Sequence, residues 1–199
     1  MPKFKGVKII AILCLGAFLF CGCNSFRLSS SIDDLISPIS PSGDNAGVQS
    51  AVDEYCKSGY SIKIPATGNY TTSFILKDID GDKINEAVAF YEPSNKVGTI
   101  SMAVIKKSGE RWSVIANVDG TATDVNSVDF CDFNNDGKLE IIVCWSVVSK
   151  QTGTSINVYS QNENDNKYSL KSVSKAITGS NFICVDANDD GVMELLVFA

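Results

Sequence analysis

Three acidic nonapeptides carry the side chains in this chain that are best suited to holding a hard cation. They read DIDGDKINE, DFNNDGKLE and DANDDGVME and begin at Asp78, Asp132 and Asp186, two steps of 54 residues. Oxygen-bearing side chains recur at loop positions 1, 3, 5 and 9. These are Asp78, Asp80, Asp82 and Glu86, then Asp132, Asn134, Asp136 and Glu140, then Asp186, Asn188, Asp190 and Glu194. Alternate residues of a tight loop point inward, so this spacing wraps several hard oxygens around one ion. Calcium takes about six to eight oxygens and tolerates irregular geometry. The position 7 carbonyls of Ile84, Lys138 and Val192, together with water, supply the remainder. Gly137 and Gly191 at position 6 provide backbone freedom for the turn. The expectation is structural Ca²⁺, up to three ions, one per loop.

Elements that position the loops follow from their flanks. An apolar run follows each position 9 acid: Ala87–Tyr91, Ile141–Trp145 and Leu195–Ala199. A shorter run precedes each loop: Phe74–Leu76, Val128–Cys131 and Phe182–Val185. Short runs rich in β-branched and aromatic residues, bounded by turn chemistry, read as buried strands. Two further strands are expected between successive loops. They are Thr99–Lys106 and Trp112–Val118 in the first interval, and Ser155–Ser160 and Tyr168–Val173 in the second. Polar turns Lys107–Arg111 and Gln161–Lys167 join them. Four strands in each period of about 50 residues is the pattern of propeller blades.

An EF-hand is the obvious competitor, because D-x-N-x-D-G occurs in the second and third loops. An EF-hand needs a bidentate Glu at position 12 and a helix on each side. Position 12 here is Ala89, Val143 and Val197, and both flanks read as strands. The acidic motifs and their spacing instead resemble the FG-GAP/VCBS-type repeats of integrin-like β-propellers. In that family the loop joins the first two strands of a blade and binds calcium. The resemblance spans about Tyr70 to Ala199 and resides mainly in the loops. It implies an all-β fold, a partial β-propeller of about two and a half four-stranded blades with calcium loops. No Phe-Gly or Gly-Ala-Pro element precedes any loop, and the first loop has Gly81 at position 4 and Lys83 at position 6. An incomplete ring leaves sheet edges open, so a truncated product is expected, with self-assembly as the alternative.

The amino terminus carries Lys3, Lys5 and Lys8 and then an uncharged apolar stretch from Ile9 to Phe20. This is the pattern of a signal peptide, too short for a spanning helix. The following Phe20-Cys21-Gly22-Cys23-Asn24 resembles a bacterial lipobox, which implies cleavage after Gly22 and lipidation of Cys23. The expected organisation is a lipoprotein signal peptide at 1–22 and a lipidated, flexible tether at 23–46. A short helix plus strand at 47–66 and the repeat domain at 67–199 complete it. The tether is rich in Ser, Asp, Pro and Gly and cannot bury a core. Asp44 or Asn45 is expected to cap the helix, with Val48, Ala51, Val52 and Tyr55 on its apolar face. The strand Tyr60–Ile64 is expected either to complete a last blade or to pack against the first unit.

Charge and cysteine usage narrow the function. The chain has 17 basic and 23 acidic residues, and the loop positions hold ten of the acids. Metal loading accounts for this acidity, and it argues against nucleic acid, which needs a basic surface. Of seven cysteines, Cys14, Cys21 and Cys23 belong to the leader and lipid site. Cys56, Cys131, Cys144 and Cys184 remain and are expected to be free, mostly buried thiols. The chain has no histidine, which excludes Ser-His-Asp and Cys-His catalysis. Trp112, Trp145 and Tyr168 could form a sugar platform but read as core or inter-blade packing. The resulting expectation is a calcium-binding lipoprotein anchored to the bacterial cell membrane and facing outside the cytoplasm. It would act as a binding, adhesion or scaffold module for a protein or glycan ligand. Alternatives are a propeller-based carbohydrate-active enzyme, or an accessory or truncated remnant of one.

Overall fold

The computed structural model describes residues 43–120, 122–147, 153–162, 169–172, 177–179 and 181–198. The leader, Cys23, the tether up to residue 42 and Tyr168 lie outside the described residues. Among the described residues one helix, α1 (Asp44–Tyr55), precedes twelve strands. These are β1 (Tyr60–Lys63), β2 (Ile75–Lys77), β3 (Glu86–Pro93), β4 (Ser101–Ser108), β5 (Arg111–Asp119) and β6 (Asp124–Cys131). The chain continues through β7 (Glu140–Val147), β8 (Gly153–Asn162), β9 (Ser169–Ser172), β10 (Ile177–Thr178), β11 (Asn181–Val185) and β12 (Glu194–Phe198). Among the described residues, no helix is long and apolar enough to cross a membrane.

All pairings are antiparallel and repeat with the 54-residue period. In the first sheet β3 pairs β4 and β4 pairs β5, while β2 and β1 share the outer edge of β3. In the second, β6, β7 and β8 pair in order, and β9 and β10 share the far edge of β8. The third is the hairpin β11–β12. Register is conserved between periods: Ala87 lies opposite Ile105 as Ile141 lies opposite Tyr159. The expected strand–loop–strand units are therefore β2–β3, β6–β7 and β11–β12. The architecture is that of a partial β-propeller: two four-position sheets and half of a third.

Alternation along the central strands explains how the sheets stack. Val88 and Phe90 of β3 face Ile141, Val143 and Trp145 of β7 in one core. Phe90 and Trp145 meet edge to face at 5.7 Å across this seam. The intervening Ala87, Ala89 and Tyr91 point the other way, onto Val48, Ala51 and Val52 of α1. On the outer side of the second sheet, Ile142 and Cys144 pack with Phe182, Leu195 and Val197 of the hairpin. Strands buried on both faces read as continuous apolar runs, which is why β3 and β7 were so legible. The opposite face of the hairpin leaves Ile183, Leu196 and Phe198 exposed.

Two details differ from expectation. The helix is preceded by Gly43 with φ 61°, and no side chain caps it, so neither Asp44 nor Asn45 does so. Tyr55 is 51% exposed rather than part of the apolar face. The first strand pairs with β3, so of its two expected placements it takes the one against the first unit. Trp112 and Trp145 are buried, which removes both from any sugar platform. The segment after β1 then lines the edge of β6, with Ala66 and Thr67 amides donating to Val125 and Asn126 carbonyls at 3.1 and 2.8 Å. Such covering blunts an otherwise open edge.

Candidate metal loops

The three loops lie together at one end of the sheets, each between paired strands. Their backbones share one shape. Position 4 is left-handed in all three (Gly81 φ 78°, Asn135 φ 56°, Asp189 φ 60°), and so is position 6 (Lys83 φ 72°, Gly137 φ 84°, Gly191 φ 84°). Gly81 and Lys83 thus exchange residue types with the other loops without changing the turn. Close packing accounts for glycine at 81: a Cβ there would stand 2.6 Å from the Gly137 carbonyl oxygen of the next loop. The step from second to third loop repeats this contact, with Asn135 Nδ2 donating to the Gly191 carbonyl at 3.2 Å. The Leu139 amide also donates to the Ile79 carbonyl at 2.8 Å. Neighbouring loops are therefore bonded to one another as well as to their own sheets.

Within each loop the acidic side chains cage the backbone. The position 9 carboxylate accepts from the position 2 amide: Glu86 from Ile79 at 3.0 Å, Glu140 from Phe133 at 3.0 Å, Glu194 from Ala187 at 2.7 Å. The position 1 carboxylate accepts from the position 6 amide, Asp78 from Lys83 at 2.9 Å, Asp132 from Gly137 at 2.9 Å and Asp186 from Gly191 at 2.8 Å. The position 5 carboxylate accepts from the position 7 amide at 2.8 Å in every loop, Asp82 from Ile84, Asp136 from Lys138 and Asp190 from Val192. Asp80, Asn134 and Asn188 accept from the position 5 amide. All twelve side chains assigned from spacing thus converge on their own loops. What the spacing left open was how much of this convergence serves the backbone itself.

The loops differ at position 3. Asn134 and Asn188 each donate Nδ2 to the position 5 carboxylate, Asp136 or Asp190, at 3.0 Å. In the first loop position 3 is Asp80, which cannot donate when ionised. Lys106 of β4 takes over: its Nζ bonds Asp80, reaches Asp82 Oδ2 at 2.7 Å and lies 3.1 Å from Glu86 Oε1. Glu86 is fully buried, and Oε1 has no aligned hydrogen bond, so the ammonium is its compensating charge. Burial pulls the Lys106 ammonium toward deprotonation. The carboxylates of Asp80, Asp82 and Glu86 outweigh it and hold its pKa well above the ordinary lysine value. The Lys106 ammonium in turn holds Asp82 below its usual range.

The second loop has the opposite electrostatics. Burial raises the Glu140 pKa, and the nearby Asp136 and Asp132 carboxylates add to that rise, against the Phe133 amide bond that lowers it. Crowded carboxylates of this kind gain from a cation. Among the described residues, Asp78, Asp80 and Glu86 bring carboxylate oxygens within 4.8 Å of one another, but the Lys106 ammonium already pairs with two of the three. The donor set in each loop is hard oxygen, and carboxylate oxygens that accept an amide bond keep lone pairs for a metal. The residues therefore fit calcium chemically.

Sequence reasoning missed Lys106, because its role depends on cross-strand register: Ile105 faces Ala87, which sets the next residue beside Glu86. It also missed a cleft of about 360 Å³ at the other end of the first sheet, lined by Tyr91, Lys96, Ser101, Asn117 and Asp119 among others. There Ser101 donates to Asp119 at 2.8 Å and Tyr91 to Asn117 at 2.5 Å. Cys56, Cys131, Cys144 and Cys184 are all free, as expected.

Comparison with known proteins agrees with the strand–loop–strand repeat. The family model described as FG-GAP-like repeat matches residues 78–143, from the start of the first loop into β7. Neither the curated proteins nor the solved structures contain a match to the chain. The segment from Asp78 to Val143 is thus similar to an FG-GAP-like repeat, and the same strand–loop–strand unit recurs after it at Asp186.

Proposed function

We propose that this protein is a calcium-stabilised binding module held on the outer side of a bacterial membrane by a lipid on Cys23. Calcium is structural in this reading. It neutralises the acidic loops, and the loops in turn fix the spacing of the sheets. The observation that carries the reading is the threefold recurrence of one backbone cage with side-chain oxygens at positions 1, 3, 5 and 9. Extracellular calcium modules often bind at about 10⁻⁴–10⁻³ M, so loading would follow the outside medium. Glycan or protein ligands would then meet the exposed rims and faces of the stacked sheets.

The test is adhesion by cells displaying the full chain to surfaces coated with glycans or host-matrix proteins. The reading predicts retention in calcium, loss on chelation, and no release of glycan fragments. Adhesion that ignores chelation and survives Asp132→Ala with Asp136→Ala contradicts the calcium role; fragment release favours an enzyme. Cys23→Ala should move the protein out of the membrane fraction. Labelled lipid still attached to that variant contradicts the anchor.

A further inference from the structure

We propose that Lys106 is a built-in cation for the first loop, standing where the second and third loops take a metal ion. Its Nζ sits among three of the four side chains expected to ligate there, Asp80, Asp82 and Glu86. Geometry makes this a property of the strand pairing and not of a wandering surface lysine. The ammonium is carried by β4 directly across from the start of β3, and the Lys106 side chain is only 28% exposed. One period later the same register position is Ser160, beside Glu140.

The substitution is paired. Where position 3 is Asn134, the facing strand carries Ser160; where it is Asp80, the facing strand carries Lys106. An amide that bridged positions 3 and 5 is replaced by an extra carboxylate and an ammonium that bridges the same two positions. Positional exchange also relieves the first loop of a second need. An ammonium at 2.7 Å from Asp82 and 3.1 Å from Glu86 demands less regular closure than a calcium ion bonded at about 2.3–2.6 Å. With Glu86 buried, a vacant loop would leave its charge uncompensated, a costly state. The first loop would thus keep its form without metal, while its neighbours load and unload.

The inference rests on calcium loading of the second and third loops, so the experiment carries a readout that does not. Equilibrium dialysis of the full chain with radioactive calcium should give two ions per chain. Lys106→Met, and Lys106→Gln as a polar control for folding, should give three. Three ions in the unaltered chain would overturn the proposal and leave Lys106 only offsetting the additional charge of Asp80. Two ions in all three proteins would overturn it as well. The independent readout is amide hydrogen exchange in the calcium-free protein. Amides of Lys83 and Ile84 should be protected in the unaltered chain and exchange at least tenfold faster in the Lys106 variants. Equal exchange in all three contradicts the built-in cation. No calcium bound by the unaltered chain contradicts the metal reading of the other loops, and the exchange comparison then decides the role of Lys106 alone.

Discussion

The Leu139 amide donates to the carbonyl of Ile79 at 2.8 Å, which ties the second acidic loop to the first across the seam between two sheets. A few residues away the Gly137 carbonyl comes so close to Gly81 that no Cβ fits between them. Loop form and sheet spacing are therefore one problem in this protein. Metal or charge that stabilises a loop also holds neighbouring sheets in register.

Gly81→Ala tests that close approach. The position combines φ 78° with a contact of 2.6 Å to a backbone oxygen. A loss of about 1–3 kcal/mol is expected from strain and overpacking. Gly109→Ala serves as the reference, since φ is 61° there but nothing lies within 4 Å. Chemical denaturation of both variants checks the difference; equal losses would mean that the loop-to-loop contact contributes nothing beyond backbone strain.

Glu140 has two roles that substitutions can separate. Its carboxylate accepts from the Phe133 amide at 3.0 Å and carries charge into a nearly buried site. Glu140→Gln keeps an acceptor and should leave calcium-free stability within about 1 kcal/mol, while Glu140→Ala orphans the amide and should cost about 1–3 kcal/mol. Both should lose most of the extra stability that calcium confers on this loop. Melts with and without calcium distinguish the pair, and an unchanged calcium response in both would remove Glu140 from the metal site.

Gly47→Ala runs against helix propensity. Alanine normally favours a helix interior by about 0.5–1 kcal/mol over glycine. Here a Cβ at 47 would collide with Cδ1 of the buried Trp112. The variant should be less stable than the parent by about 1–3 kcal/mol, because overpacking outweighs the entropic gain. A stabilised variant would show that α1 is free to move off the sheet.

Thiol chemistry reports on the third sheet. Burial, and then the neighbouring Cys131, pushes the Cys184 thiol up to about 12. Burial also raises the Cys131 thiol, against a hydrogen bond with Cys184 that lowers it. The thiolate is the reactive form, so alkylation of the folded protein at pH 8 should be at least tenfold slower at these two residues than in denaturant. Rates should rise steeply with pH, since the thiolate fraction grows as pH approaches about 12. Prompt alkylation at pH 8 would mean that the β11–β12 hairpin opens readily.

Much of this molecule is legible in its sequence. The 54-residue spacing of Asp78, Asp132 and Asp186 located all three loops, and the apolar runs beside them became β3, β7 and β12. Doubly buried strands announce themselves by unbroken apolarity. Less was legible where the outcome depended on partners distant in sequence. The partner of Tyr60–Lys63 was open because a four-residue strand has no pattern that names its edge. Left-handed Lys83 was hidden because glycine is the usual marker of that conformation, and here the glycine sits at 81 where space requires it. Lys106 was hidden for a related reason: a lysine at the end of a strand reads as solvated until register sets it beside Glu86.

The central claim is that cation loading of the loops holds the stacked sheets together. It is tested most directly by thermal melts of the full chain across a calcium titration, with magnesium as control. The account predicts a single cooperative transition whose midpoint rises with calcium and keeps rising above the dissociation constant, by linkage between binding and folding. Magnesium should have little effect, because it demands closer and more regular octahedral coordination. A midpoint that does not move with calcium, or that moves equally with magnesium, would contradict the claim.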